Sequence, residues 1–382
     1  MSRSLESLSL SEKFRWFPTV SACFDAMLTA IRQARYSVRL EMYIYTVSPI
    51  GELFREALME AVRRGVRVRV MIDAFGSMRL SARFWDPLVE AGGDFRWFNP
   101  LTLDRCGFRN HRKLLVCDEE TAFVGGFNVS TEYQGDGVLQ GWHDLGLQVR
   151  GRLAAELAAS FDALFALADF RPGRFAALRK TPLQKIVSTY DGQIILSAPG
   201  LGRNFLRHSI VHDLDNAKSV SIISAYFLPT RHIRRALVRL AHRGGCVRLI
   251  LAGKSDVPLT QLASRRFYAG FLRAGIEIYE YQPQILHTKL LVIDEVVYAG
   301  SANLDRRSFY INYELMLRLP NRPLASEGEA FFAAALQHCE KIDAKAWRAS
   351  RSLWSRLKER WAFFILGRLD PLIARRQMKF LK

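Results

Sequence analysis

One short polar pattern occurs twice in this sequence and restricts the possible folds more than any other feature. It is His-x-Lys followed by four residues and an aspartate, and it spans residues 111–118 and 287–294. The six motif residues are His111, Lys113, Asp118, His287, Lys289 and Asp294. Each lysine is followed by apolar residues, which predict a β-strand. Because alternate strand residues point to the same side, each histidine shares a face with its lysine.

A second strand is predicted after each motif, and it leads to an asparagine. An acidic turn separates the two strands, and the second one ends in Gly-Gly-Phe-Asn at 125–128 or Gly-Ser-Ala-Asn at 300–303. This order predicts a hairpin that returns Asn128 or Asn303 toward the histidine. A carboxylate, Asp144 or Glu314, then leads into a further strand.

The repeat extends beyond the motifs, because the chain is an internal duplication. Residues 57–70 align without a gap with residues 236–249, each as a helix, a glycine stop and a strand. Helix and strand alternate in both halves, which predicts an α/β fold with helices on the faces of the sheets. We expect a first half at residues 1–170, a linker at 171–185, a second half at 186–345 and a basic tail at 346–382.

Two matched sets of His, Lys and Asn can perform phosphoryl transfer on a diester. One imidazole attacks phosphorus and becomes a phosphohistidine, which divides one difficult displacement into two easier ones. The other imidazole protonates the leaving alkoxide and then acts as a base on the incoming hydroxyl. The candidates to bind the phosphate oxygens are Lys113, Asn128, Lys289 and Asn303. This chemistry requires no metal ion and no other cofactor, because the lysines and asparagines stabilise the transition-state charge.

Each histidine also needs a partner on its second ring nitrogen, and a carboxylate is the usual group. Asp144 and Glu314 are the candidates, and in the second half we group Glu314 with His287. Asp118 and Asp294 complete the catalytic motif set, but they lie beyond the apolar strands, an odd number of residues from their histidines. We therefore expect these two aspartates to support the hairpins rather than to bind phosphate.

At these residues the sequence resembles the phospholipase D superfamily, whose signature is the doubled motif followed by Gly-[Gly/Ser]-x-Asn. The resemblance covers about residues 18–345. It implies two α/β/α sandwich halves related by a pseudo-twofold axis, with one shared active site at their interface. It also implies that His111 is the nucleophile and His287 the acid/base.

Within the superfamily, residues 125–133, 300–308 and 312–314 look most like bacterial cardiolipin synthases. Those enzymes transfer a phosphatidyl group from one phospholipid to the glycerol head of phosphatidylglycerol. No run of the sequence approaches the roughly 18 apolar residues that span a bilayer. The chain is therefore more similar to the short B-type enzymes without N-terminal transmembrane helices. The resemblance implies phospholipid substrates and a peripheral protein at the cytoplasmic face of the cell membrane.

The charge of the chain indicates an anionic partner, either a membrane surface or nucleic acid. The net charge is +18, and residues 344–382 contribute eleven Lys/Arg minus two acids, or +9. Trp347, Trp354 and Trp361 recur every seven residues there, as on one amphipathic helix. Indole rings and cations suit an anionic phospholipid membrane, so we interpret these three tryptophans as membrane-binding.

Three alternatives remain open on the sequence alone. Hydrolysis to phosphatidate would use the same phosphohistidine, with water as the acceptor. A nuclease would use the same site, but half of the charge lies in the tail rather than in a groove with stacking aromatics, so nucleic acid is the less favoured partner. A binding module without activity has no need for two complete motifs. The sequence does not indicate an oligomeric state, and five scattered cysteines are typical of a reducing compartment.

Overall fold

Two mixed β-sheets with helices on their faces form the fold in the computed structural model, which describes residues 10–100, 108–168, 183–200 and 204–369. The first sheet contains β1 (Phe14–Phe17), β2 (Ser37–Met42), β3 (Arg67–Asp73), β4 (Asp94–Phe98), β5 (Leu114–Cys117), β6 (Thr121–Gly125) and β7 (Gly146–Arg150). The second contains β8 (Lys185–Thr189), β9 (Gly192–Ser197), β10 (Ser219–Ser224), β11 (Cys246–Ala252), β12 (Glu277–Tyr281), β13 (Lys289–Ile293), β14 (Val296–Gly300), β15 (Glu314–Pro320) and β16 (Cys339–Lys341). Residues 171–182 of the predicted linker lie outside the described residues.

Helices alternate with these strands as the sequence predicts. The first half contains α1 (Leu10–Lys13), α2 (Val20–Gln33), α3 (Pro49–Arg63), α4 (Asp86–Glu90) and α5 (Arg152–Leu167). The second half and the tail contain α6 (Phe205–Asn216), α7 (Arg231–His242), α8 (Pro258–Arg265), α9 (Tyr268–Arg273), α10 (Arg306–Tyr310), α11 (Arg322–Leu336), α12 (Ala344–Ala349) and α13 (Leu353–Phe364). The predicted glycine stops follow α3 and α7, where Gly65 and Gly244 have φ of +85° and +82°.

The strand order confirms the duplication. The first sheet runs β1-β7-β6-β5-β2-β3-β4, and the second repeats that order as β9-β15-β14-β13-β10-β11-β12, with β8 and β16 added at its edges. In each sheet three strands are parallel and the motif hairpin pairs antiparallel with the first of them. Both halves therefore place their motif strand at the centre of a sheet.

The two halves share one continuous inner core. Apolar residues of α5 and α11 pack there with residues of both sheets, among them Leu114, Val116, Leu290 and Val292. Separate apolar cores lie on the outer face of each sheet, beneath the other helices. The two sandwiches are thus joined through their inner helical layer, which fixes the position of one motif relative to the other.

Short parallel backbone pairings also cross between the halves next to the motif histidines. Asn110 pairs with Tyr313, and Leu286 pairs with His143. The backbone N–H of His111 donates to the carbonyl of Tyr313 at 2.9 Å, and that of His287 donates to the carbonyl of His143 at 2.8 Å. Each histidine therefore begins its motif beside the segment of the other half that leads into a carboxylate.

The tail differs from the single amphipathic helix that the spacing of its tryptophans predicts. α12 ends at Ala349 and α13 begins at Leu353, so Trp347 and Trp354 lie on different helices. Trp347 packs on Tyr268 with ring centroids 4.9 Å apart, and Trp354 is exposed. A heptad spacing across a helix break does not place residues on one face. None of the helices in the described ranges combines the length and apolarity of a membrane-spanning segment.

Candidate active site

The first motif histidine is held by a carboxylate from the second half. Nδ1 of His111 lies 3.1 Å from the carboxylate of Glu314. Glu314 is fully buried and accepts hydrogen bonds from the hydroxyls of Ser301 at 2.6 Å and Ser308 at 2.8 Å. These bonds fix the carboxylate, so it orients the imidazole through Nδ1. Nε2 is then the ring nitrogen that Glu314 does not contact.

The second motif histidine is held by a carboxylate from the first half. Nδ1 of His287 lies 2.8 Å from Oδ2 of Asp144. The grouping of Glu314 with His287 by the sequence is therefore wrong, because each carboxylate crosses to the opposite histidine. Sequence proximity suggested partners within one half, but the backbone pairings between the halves bring the crossed partners together.

Both motif lysines are buried beside their histidines. Nζ of Lys113 donates to the backbone carbonyl of His111 at 2.7 Å. Nζ of Lys289 lies 2.9 and 3.2 Å from the two ring nitrogens of His287 and also contacts its carbonyl oxygen. The strands begin only at Leu114 and Lys289, so both histidines precede them, and of the two lysines Lys289 contacts the imidazole whereas Lys113 contacts the backbone carbonyl.

The two asparagines lie in the same cavity as the histidines but differ in their contacts. Oδ1 of Asn128 accepts from the backbone N–H of Ile44 at 3.0 Å, and its Nδ2 donates to the hydroxyl of Tyr133 at 3.0 Å. Oδ1 of Asn303 is buried without a hydrogen-bond partner among the described residues. Of the two motif asparagines, Asn303 is therefore the one whose amide has an unsatisfied atom.

The motif aspartates lie at the far ends of their strands. Asp118 accepts from the backbone N–H groups of Arg35, Tyr36 and Ser37 at 2.8 to 2.9 Å. Asp294 accepts from the backbone N–H of Ser219 at 2.8 Å. Both residues adopt positive φ in the hairpin turns, at +55° and +49°. They connect each hairpin to the start of the neighbouring parallel strand and are remote from the histidines.

Comparison with known proteins identifies the family. The family model described as cardiolipin synthase, PLD-like domain, matches residues 27–165 and 210–336, once in each half. The chain belongs to this phospholipase D-like family. It is 33% identical to cardiolipin synthase 1 of Bacillus anthracis, covering 88% of this chain and 68% of that protein. It is 32% identical to cardiolipin synthase A of Pseudomonas putida, covering 84% and 68%.

A solved structure shows the same fold. Phosphatidylserine synthase of Haemophilus influenzae Rd KW20 superposes with a TM-score of 0.75 at 16% identity, over 96% of each chain. This likeness confirms the two-half architecture that the duplication predicts, and the family match together with the curated relatives makes the chain an enzyme of the phospholipase D superfamily.

The site of this phospholipase D-like protein opens into one cavity of about 1080 Å³. Both motif histidines line it, together with Asn128 and Asn303. The two motifs therefore contribute to a single site between the halves. In the described part of the chain, no group of three or more His, Cys, Asp and Glu side chains is placed to bind a metal ion.

Aromatic residues that the motifs do not include surround the histidines. Tyr133 and Trp142 contact the His287 ring with centroid distances of 5.3 and 5.5 Å, and Tyr43 contacts the His111 ring at 4.9 Å. At the repeat position of Tyr133 the second half has Ser308, which binds Glu314 instead. The duplicated segments 125–133 and 300–308 carry different residues at this position, and this difference is the sequence signal that the two half-sites differ.

Burial shifts the pKa values of the site so that the neutral form of each group is favoured. It lowers the pKa of both histidines, and for His287 the ammonium of Lys289 lowers it further. It lowers the pKa of Lys113 to about 7 and that of Lys289 to about 8, and raises that of Asp144 to about 6. The buried surroundings therefore disfavour the charged forms of the histidines and lysines as well as that of Asp144. A bound phosphodiester anion would reverse part of this effect, because an opposite charge favours the protonated histidine and lysines.

Replacement of Lys113 by methionine should stabilise the fold at neutral pH. The folded-state pKa of about 7 lies below the ordinary lysine value, so the unfolded chain binds this proton more tightly. Methionine removes that cost, and we expect the free energy of unfolding at pH 7 to rise by about 1–3 kcal/mol. The gain should shrink as the pH rises toward the unfolded pKa, because wild-type Lys113 then becomes neutral in both states.

Urea unfolding at pH 7 and at pH 9.5 measures this effect. The exposed Lys345 provides a control, since its replacement by methionine should change the stability little at either pH. A Lys113→Met protein that is less stable than wild type at pH 7 would contradict the prediction.

Proposed function

We propose that this protein is a phosphatidyltransferase that makes cardiolipin from phosphatidylglycerol and a second phospholipid through a phosphohistidine. The observation that carries the proposal is the single cavity between the halves, which contains both motif histidines, each oriented by a carboxylate of the other half. The substrates come from the relatives, which are named cardiolipin synthases.

In the first step of this mechanism, Nε2 of neutral His111 attacks phosphorus while Nδ1–H donates to Glu314. The bond from phosphorus to the leaving glycerol oxygen breaks, and the protonated imidazole of His287 supplies the proton to that oxygen. Lys113 and Lys289 bind the non-bridging oxygens as their charge increases. In the second step His287 takes the proton of the acceptor hydroxyl, whose oxygen displaces His111 from phosphorus.

The two histidines differ in accessibility, and the difference supports His111 as the nucleophile. The His111 side chain is 12% exposed and that of His287 is 5% exposed. His287 lies beneath Tyr133 and Trp142, and the hydroxyl of Tyr133 is 3.3 and 3.4 Å from its ring nitrogens. The more open imidazole suits in-line attack on a large lipid phosphate, while the enclosed one suits proton transfer.

The lipid product tests this proposal. We expect purified protein incubated with phosphatidylglycerol vesicles to produce cardiolipin and glycerol in equal amounts. Phosphatidate in place of cardiolipin would reassign the protein as a phospholipase, because water would then be the acceptor. Cleavage of single-stranded DNA at the same site, without any lipid product, would support the nuclease alternative.

We propose further that the protein binds the cytoplasmic face of an anionic membrane through α13. One face of this helix exposes large apolar residues, namely Leu353, Trp354, Leu357, Trp361 and Phe364. The other face lines the catalytic cavity with Phe363, and Leu366 and Gly367 beyond the helix continue that wall. The proposed membrane-binding set excludes Trp347, because its ring packs on Tyr268. Membrane contact by α13 would thus hold the cavity close to its lipid substrate.

The double variant Trp354→Ala/Trp361→Ala should bind anionic vesicles about tenfold or more weakly, because indole rings partition into the interface. Sedimentation with phosphatidylglycerol vesicles measures the binding. Tyr190 is an exposed aromatic residue on the β8–β9 turn, and Tyr190→Ala should bind as wild type does. Equal binding by the tryptophan variant and wild type would remove α13 from the membrane contact.

A further inference from the structure

A second cavity, which we term the arginine pocket, lies between the second half and the tail. Its volume is about 640 Å³, and α8 and α9 form one side while α12 and α13 form the other. Seven of its ten lining residues are arginines, and Glu359 is the single acidic one. The motifs and the catalytic mechanism use none of these arginines.

Most of this positive charge has no carboxylate partner. Arg265 pairs with Glu280 through two hydrogen bonds, and Arg351 contacts Glu359. The other five, within the described part of the chain, form no ion pair with a carboxylate: Arg266, Arg273, Arg348, Arg356 and Arg360.

The arginines also disfavour one another. Burial and the neighbouring Arg360 lower the pKa of Arg266, and burial with Arg265 and Arg356 lowers that of Arg351. Like charges brought together in a concave site are unfavourable unless an anion neutralises them. The shape of the pocket therefore maintains a repulsion that a bound anion would relieve.

The chemistry of arginine indicates which anion would fit. A planar guanidinium donates two parallel hydrogen bonds to a phosphate and remains charged when it is partly buried. Arginines from four helices converge on one cavity, so several guanidinium groups can reach the same phosphate. We propose that the arginine pocket binds the phosphate-bearing headgroup of an anionic phospholipid that is not the reacting one.

The position of the pocket favours a membrane lipid over free phosphate. Arg356 and Arg360 lie on α13, the helix that also exposes Trp354 and Trp361. Arg266 lines both the arginine pocket and the catalytic cavity. A headgroup in the pocket would thus come from the bilayer surface that α13 is proposed to contact. This inference does not depend on which acceptor the active site uses.

Binding of two double variants to vesicles tests the site. Arg356→Gln/Arg360→Gln removes two charges from the pocket, and Lys345→Gln/Lys358→Gln removes two charges from exposed positions on the same tail helices outside the pocket. We expect the arginine variant to bind phosphatidylcholine vesicles that contain phosphatidylglycerol at least about tenfold more weakly than the lysine variant. Both variants should turn over a soluble phosphodiester as wild type does, which shows that the active site is intact.

Three results would overturn the inference. Equal losses in the two variants would mean that diffuse charge attracts the membrane without a site, and no loss in either would mean that the pocket binds no lipid. The third is thermal stabilisation by inorganic phosphate that only the arginine variant loses, together with unchanged vesicle binding. That result would assign the pocket to a free phosphate.

Discussion

Replacement of His111 by alanine is expected to lower kcat by about 10⁴-fold or more, because in the proposed mechanism Nε2 of His111 forms the covalent bond to phosphorus. His287→Ala should cause a loss of similar size with a natural lipid, whose alkoxide leaving group needs a proton. Product formation from phosphatidylglycerol vesicles measures both. His212 is exposed on α6, and His212→Ala should retain wild-type turnover.

A second substrate separates the roles of the two histidines. A phosphodiester with a nitrophenolate leaving group needs no proton from the enzyme in the first step, so His287→Ala should form the phosphoenzyme with this substrate while His111→Ala should not. Rapid quenching and detection of acid-labile phosphohistidine report the intermediate. Its formation by His111→Ala but not by His287→Ala would exchange the assigned roles, and full activity in either variant would refute a shared site.

The crossed carboxylates should have the next largest effect. Asp144→Asn and Glu314→Gln keep the shape of the side chains but remove the charge that stabilises an imidazolium, and each should lower kcat by about 10²- to 10³-fold. Burial already lowers the pKa of both histidines, so loss of a carboxylate should lower that of its partner further.

Each carboxylate variant should act through the histidine of the opposite half. With the nitrophenolate substrate, Asp144→Asn should recover the phosphoenzyme step as His287→Ala does, and Glu314→Gln should remain impaired like His111→Ala. Ser301→Ala is the control for positioning of the carboxylate. Its hydroxyl binds Glu314 and does not touch a histidine, so this variant loosens Glu314 but keeps its charge. The reverse pattern, with Glu314→Gln rescued and Asp144→Asn impaired, would contradict the crossed pairing.

Much of the fold could be predicted because its signals are local. The helix stops at Gly65 and Gly244 and the strand and hairpin of each motif depend on neighbouring residues, and the structure has them where the sequence predicts them. The support of the hairpins by Asp118 and Asp294 also agrees with the sequence interpretation. Two local patterns gave wrong predictions. The heptad spacing of the tail tryptophans predicted one helix where there are two, and Glu314 was grouped with His287 although it contacts His111.

The aromatic residues of the site could not be predicted from the motifs. Tyr133 and Trp142 belong to the loop between β6 and β7 of the first half, yet they contact His287 of the second half. No spacing rule connects residues that meet through the packing of two separate sheets. The arginine pocket is similar, because the sequence shows a basic tail but not the second set of arginines on α8 and α9 that faces it.

The sequence by itself predicted the chemistry, since a doubled His-Lys-Asn set offers a nucleophile, an acid and phosphate ligands. It also predicted the two-half fold, because the duplication repeats seven strands in the same order in both sheets. The tertiary structure alone decided which groups work together. The inner helical layer and the backbone pairings at Asn110 and Leu286 bring each histidine to the carboxylate of the other half. Such a contact depends on how two folded surfaces pack together and not on the separation of the residues along the chain.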